Sequence, residues 1–193
     1  MQELKEAILE HAIVAQGGIV RVDMFLNHKL DTALITRMGQ AFHAAFKQET
    51  VDLILTVESS GIALAFAAAQ AFGNVPILVA KKGMPATIAG EDVYQSRVFS
   101  YTHGVENTVR VSRAYLPSSA HVLIVDDFLA NGQAALGLID MVKQADAQVS
   151  GVGIGIEKGF QNGGQLLREQ GYKVVSLATV MAVEDGKVVF AGE

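Results

Sequence analysis

Continuous apolar runs of strand length recur along the chain: VDLILTV at 51–57, VPILVA at 75–80, VLIVD at 122–126 and VSGVGIGI at 149–156, with a weaker run, KVVSLATV, at 173–180. A strand with one wet face alternates polar and apolar side chains. Unbroken apolar runs belong instead to parallel strands covered on both faces. Helical patterns lie between the runs. GIALAFAAAQAFG at 61–73 is rich in alanine, and AALGLIDMVKQAD at 134–146 carries apolar residues at helical spacing. Strand–helix–strand repetition with right-handed crossovers predicts an α/β fold with an open, mainly parallel sheet flanked by helices. Such sheets bind ligands beyond the carboxyl ends of their strands, where the strand order reverses.

Two stretches depart from this rhythm. In the first 50 or so residues, a helix over about 2–15 leads into GGIVRVDMFLNHKLD. A second helix runs over about 31–48, with Leu34, Ile35, Met38, Phe42 and Phe46 on one face. This part reads as a small cap on the sheet. Between Lys81 and Leu116 the pattern breaks again. VYQSRVFSYT (93–102) and TVRVSRAYL (108–116) read as two strands around HGVEN, a flexible arm or lid. At 193 residues, half of them hydrophobic, the chain is expected to form a single domain. Its core would span about 51–180 and its arm about 84–116.

Composition excludes several classes. No apolar run reaches the ~18 residues that span a bilayer. The start, MQELKEAILEHAIV, lacks the basic head and apolar middle of a signal peptide. There is no cysteine, so disulfides and thiolate metal sites are excluded, and the five histidines show no ligand spacing. A formal net charge of -5 argues against broad nucleic-acid affinity. A cytoplasmic location is expected.

Chemistry concentrates in VLIVDDFLANGQAALG at 122–137. An apolar run meets two adjacent acids, Asp126 and Asp127. A small-residue turn follows, Ala130-Asn131-Gly132-Gln133-Ala134, and then a helix. Carboxylates can reach sugar hydroxyls. The turn offers backbone N–H groups at a helix N-terminus, where the dipole favours a phosphate. The plainer reading has Asp126 end a strand and Asp127 begin a turn. Yet adjacent carboxylates repel, so the pair needs hydroxyl donors or a metal as compensation. The stretch Glu58-Ser59-Ser60-Gly61-Ile62 has the same strand–turn–helix layout. Ser59 and Ser60 can cap the helix and Gly61 admits close backbone approach. Taken alone, a serine-capped turn explains it. Taken with the turn at 130–134, it gives two anion sites flanking the switch point if both strands are central. A ribose with two separated phosphate-bearing ends fits them, and 5-phosphoribosyl 1-diphosphate is such a ligand. Mg²⁺ would sit on its diphosphate and sugar oxygens rather than in a protein cage.

VLIVDDFLANGQA is similar to the phosphoribosyl-diphosphate motif of the type I phosphoribosyltransferases. That family usually places threonines in the loop, where this chain has Asn131 before Gly132 and Ala134 at the end. The ANGQA variant resembles the bacterial xanthine-specific branch. VDMFLNH (22–28), ESSGIA (58–63), DDFLANGQAA (126–135) and IEKGF (156–160) agree with it in the expected order.

The resemblance implies a parallel sheet with flanking helices, a mobile arm, and a hood built mainly from residues 1–50 and the C-terminal tail. Ala130, Asn131, Gly132, Gln133 and Ala134 would bind the 5′-phosphate. Asp126 and Asp127 would hold the ribose hydroxyls, and Glu58, Ser59, Ser60 and Gly61 would cradle the diphosphate. Val20, Asn27 and Lys158 would line the purine site, with Val20 standing in place of a leucine. The implied reaction transfers phosphoribose to xanthine in purine salvage, with Mg²⁺ as cofactor, in a homodimer. As bare residues, Asn27 serves equally as a turn residue and Lys158 as a solvated strand-end lysine. Lys81 and Lys82 also end a strand, where they can meet diphosphate; unaided they read as ordinary surface charges. Two alternatives stay open. One is another base (guanine, hypoxanthine or adenine). The other is a regulator that reuses the fold to bind nucleic acid, which would need an added domain or a basic face.

Overall fold

A computed structural model describes residues 1–15, 19–83, 92–100, 105–184 and 187–192. The chain opens with α1 (Gln2–His11), β1 (Ile13–Ala15), β2 (Ile19–Arg21), a π-helical turn (Asp23–Asn27) and α2 (Thr32–Phe46). β3 (Leu53–Val57), α3 (Gly61–Ala71), β4 (Ile77–Lys82), β5 (Val93–Ser100) and β6 (Val105–Ser112) follow. A 3₁₀ turn at Arg113–Tyr115 leads to β7 (His121–Leu129) and α4 (Gln133–Gln144). The rest is β8 (Gln148–Lys158), α5 (Gly163–Glu169), β9 (Val174–Glu184) and β10 (Lys187–Phe190).

One sheet runs in the order β10-β9-β8-β7-β3-β4-β6-β5 among the described residues. From β9 to β4 every pairing is parallel, and the strands beyond are antiparallel. This is the open, mainly parallel sheet expected from the apolar runs. The chain goes from β3 outward to β4, then returns to β7 on the other side of β3. The order therefore reverses between β3 and β7, and the turns after these two strands open at the switch point.

Both faces of the sheet are covered. Leu123 and Val125 of β7 join a core with Met38, Phe42 and Phe46 of α2 and Leu64 of α3. Val122 and Ile124 point the other way, toward Leu138 and Val142 of α4 and Leu167 of α5. This explains why the strands read as unbroken apolar runs. The alternating glycines of β8 have a packing cause. A Cβ at Gly151 would lie 2.3 Å from Phe46 Cε1, one at Gly153 3.0 Å from Phe42 Cδ1, and one at Gly155 3.3 Å from Met38 Cε. The i, i+4, i+8 ridge of α2 thus settles into a furrow in β8 that only absent side chains provide. α2, grouped from sequence with the N-terminal cap, lies on the sheet.

The structure corrects several boundaries. The first helix ends at His11, not near 15, and Ile13–Ala15 pairs antiparallel with Ile19–Arg21. β-branched Ile13 and Val14 favour extended backbone over a further helical turn. β6 begins at Val105, three residues before the expected start, because Val105, Glu106 and Asn107 pair with Ser100, Phe99 and Val98. β6 also pairs with β4 (Lys81↔Arg110, Lys82↔Val109), which joins the described base of the expected arm to the sheet. The remainder of that arm, 84–91 and 101–104, lies outside the described residues. No helix among the described residues is long and apolar enough to cross a membrane.

Candidate active site

β7 does not end at the acid pair. It continues through Asp126 and Asp127 to Leu129, pairing Phe128 with Ile156 and Leu129 with Glu157. The pair is therefore held rigidly in the sheet at the switch point. Only 6% of Asp126 and 5% of Asp127 is exposed. Asp126 Oδ1 accepts the backbone N–H of Asp127 at 3.0 Å. Burial, reinforced by the adjacent Asp127 charge, pushes the Asp126 carboxyl well above the usual carboxylate range.

Asp127 draws two segments to itself. Ser60 Oγ donates to Asp127 Oδ1 at 2.9 Å. Asn27 Nδ2, in the amide orientation that satisfies both groups, donates to Asp127 Oδ2 at 3.1 Å and to the Leu26 carbonyl at 3.2 Å. The expected serine cap of α3 is thus replaced: Ser60 has no capping bond, because its hydroxyl is engaged by the acid pair. A turn near residue 27 and the start of α3 meet on one carboxylate.

The two turns have complementary forms. After β7, Gly132 takes φ +82 as the N-cap of α4, and no side chain caps that helix. A left-handed residue turns the chain sharply there, and glycine adopts it without steric penalty. Both α3 and α4 thus present first turns uncapped by side chains, beside the acids. In the turn after β3, the Glu58–Ser59 peptide is cis. Glu58 accepts the Lys82 backbone N–H at 2.6 Å and pairs with Lys81 Nζ at 3.1 Å. Partial burial opposes its ionisation, but these partners outweigh burial and hold the carboxyl below its ordinary range. Lys81 therefore lies on the 58–61 turn. Lys158 ends β8 with Nζ 5.9 Å from the centre of the Phe128 ring, and partial burial lowers its pKa. Val20 is buried in the apolar cluster that holds Phe25, Leu26 and Val180.

The match to known proteins agrees with this layout. The family model for the phosphoribosyl transferase domain matches residues 21–161, most of the chain. The chain belongs to the phosphoribosyltransferase family. It is 50% identical to a xanthine phosphoribosyltransferase of Geobacillus thermodenitrificans, over 100% of this chain and 98% of the relative. It is 49% identical to another of that name from Ruminiclostridium cellulolyticum, over 98% and 99%. Among solved structures it resembles an adenine phosphoribosyltransferase of Thermoanaerobacter pseudethanolicus, with TM-score 0.75 and 21% identity over 92% of this chain and 98% of that one. The sheet and its flanking helices are the type I phosphoribosyltransferase fold.

Within this phosphoribosyltransferase, the sequence did not single out Thr56 or Glu157, and it read Lys82 only as a strand-end charge that can meet diphosphate. Thr56 Oγ1 is buried without a partner. A Cβ at Gly61 would fall 2.3 Å from it and 2.8 Å from Asp126 Oδ1, so both oxygens line the start of α3. Lys82 supplies the backbone N–H held by Glu58, and its charge partly offsets the rise at Asp126. Glu157, beside Lys158, is buried and bonded to the half-exposed Arg168 and to Ser176. An acid inside the apolar run VSGVGIGIE is the one sequence signal for it, since a buried carboxylate needs a partner; nothing in the sequence names Arg168.

Proposed function

We propose that this phosphoribosyltransferase uses xanthine, transferring the 5-phosphoribosyl group from 5-phosphoribosyl 1-diphosphate to N9. The products are xanthosine 5′-monophosphate and diphosphate, and the role is purine salvage. Relatives of that name share 46–50% identity with the chain over 98–100% of its length. The structural observation that carries the reading is the meeting of Asn27 with Asp127. It sets a group suited to a purine edge against the acid pair suited to a ribose, as base and sugar must be set for a bond to form between them.

The roles follow the family resemblance, and the two turns beside the acid pair support them. Ala130 to Ala134 would hold the 5′-phosphate at the start of α4, and Glu58 to Gly61 with Lys81 would hold the diphosphate at the start of α3. Asp126 and Asp127 would accept ribose hydroxyls. These donors would relieve the crowded carboxylates, and the carboxylates would favour positive charge developing on the sugar as diphosphate leaves. Val20, Asn27 and Lys158 would receive the base. Catalysis is then mainly alignment and charge stabilisation. The arm, to which β5 and β6 belong, would exclude water from the reactive sugar. Residues before α2 and the β9–β10 hairpin would form the hood. We read the enzyme as a homodimer, for which the exposed Ile62 and Phe66 of α3 offer apolar surface.

The donor set suits a cation carried by the substrate. Among the described residues no group of three or more His, Cys, Asp or Glu is placed to hold a metal. Substrate oxygens, with the two aspartates beside them, would supply the ligands Mg²⁺ prefers. Bound there, Mg²⁺ would neutralise the leaving diphosphate.

A nucleobase panel tests the proposal. With 5-phosphoribosyl 1-diphosphate and Mg²⁺, xanthine should give the highest kcat/KM, ahead of guanine, hypoxanthine and adenine. Equal or greater turnover of another base would overturn the assignment of xanthine.

A further inference from the structure

The 130–132 backbone leans on a helix that cannot fix itself. α5 has seven residues, begins with Gly163 and Gly164, and has no side-chain cap. Glycine is a poor helix former, and a helix this short is marginal without outside contacts. Besides the buried Leu167, polar contacts at two points hold it. At its start, the Gly163 N–H donates to the Ala130 carbonyl at 3.1 Å. A Cβ at Gly163 would lie 2.3 Å from Ala130 O and 2.5 Å from Gly132 N, so helix and turn touch backbone to backbone. Farther along, Arg168 Nη1 and Nη2 donate to Glu157 Oε1 and Oε2 at 2.8 and 2.7 Å. Ser176 Oγ of β9 donates to Glu157 Oε2 at 2.5 Å. Glu157 is 4% exposed, and a Cβ at Gly164 would lie 1.8 Å from its Oε1. α5 thus rests directly on the carboxylate.

Arg168 is half exposed, and an ion pair open to water on one side adds little net stability. Its distinctive property is direction. A two-pronged Arg–carboxylate contact adds a directional constraint on the roll of the helix that apolar packing lacks. Here the fixed helix is the one whose first N–H grips the turn at 130–132.

We propose that Glu157 and Arg168 form a clasp that positions the 130–132 backbone for the 5′-phosphate. This rests on the reading of that turn as the phosphate site. Neither residue need touch the ligand; both are positioning residues acting through α5.

The test uses the full chain and two ligands that divide the substrate between them. Ribose 5-phosphate reports on the 130–134 turn and inorganic diphosphate on the 58–61 turn. Each is titrated by calorimetry into wild type, Arg168→Gln and Glu157→Gln, at a temperature where circular dichroism shows all three folded. KM for 5-phosphoribosyl 1-diphosphate is measured alongside. Both variants should weaken ribose 5-phosphate about tenfold or more and raise that KM, while diphosphate binding changes by less than about twofold. Gly163→Ala pushes on the turn from outside the clasp and should show the same selective loss; it keeps the test decisive if a clasp variant does not fold. Unchanged binding of ribose 5-phosphate in folded variants would overturn the clasp, as would equal weakening of both ligands. Failure of wild type to bind ribose 5-phosphate would instead overturn the phosphate-site reading itself.

Discussion

Asp126 is raised well above the usual carboxylate range by burial first and by Asp127 second, despite the Asp127 N–H that it accepts and the opposing charge of Lys82. That rise has a signed consequence for stability. Above the ordinary aspartate value of about 3.9, an unfolded chain has released the proton that the folded Asp126 still holds. Folding then becomes less favourable as pH rises, until the raised value is passed and the penalty levels off. Asn at this position cannot titrate. The stability of Asp126→Asn relative to wild type should therefore grow as pH rises from about 4 and then reach a plateau. Thermal melts across pH check this; a difference that is flat or falls with pH would contradict it. The unpartnered Thr56 hydroxyl belongs to the same local account. Leaving such a group buried and unsatisfied costs about 1–3 kcal/mol, which its place beside Asp126 ties to the site.

Among elements, the pairing of α2 with β8 fixes the sheet beneath the site. Met38, Phe42 and Phe46 fill the furrow over Gly155, Gly153 and Gly151. Gly151→Ala would place a methyl 2.3 Å from the Phe46 ring. Overpacking of this kind costs about 1–3 kcal/mol. Urea denaturation should show that loss, with a smaller one for Gly153→Ala, whose methyl would stand at 3.0 Å from Phe42. No loss in either variant would mean that the furrow is not closely filled. This contact also marks where the sequence stopped being readable. VSGVGIGI was legible as a buried strand, but what its glycines admit depends on a helix more than 100 residues earlier. The short β1–β2 ribbon and β10 escaped for a related reason. Runs of three or four residues carry too little periodicity to register, and pairing with a neighbour is what makes them strands.

For the whole molecule, the parallel strands were legible because burial on both faces writes itself into composition. The alternation of strand and helix then placed the turns at 58–61 and 130–134 at the sheet's carboxyl edge. That they flank the reversal between β3 and β7 followed only once the strand order was known. The acids were readable as a pair. Their embedding inside β7, and the reach of Ser60 and Asn27 to Asp127, were not, because both arise from contacts distant in sequence. Glu157 with Arg168 and Ser176 is the same case.

On this reading, two turns and two acids form one phosphoribosyl-diphosphate site. A crystal structure with 5-phosphoribosyl 1-diphosphate and Mg²⁺ bound tests it most directly. The 5′-phosphate should sit on the backbone N–H groups of 130–134, with ribose hydroxyls on Asp126 and Asp127 and the diphosphate at 58–61. A 5′-phosphate bound anywhere else would contradict the account.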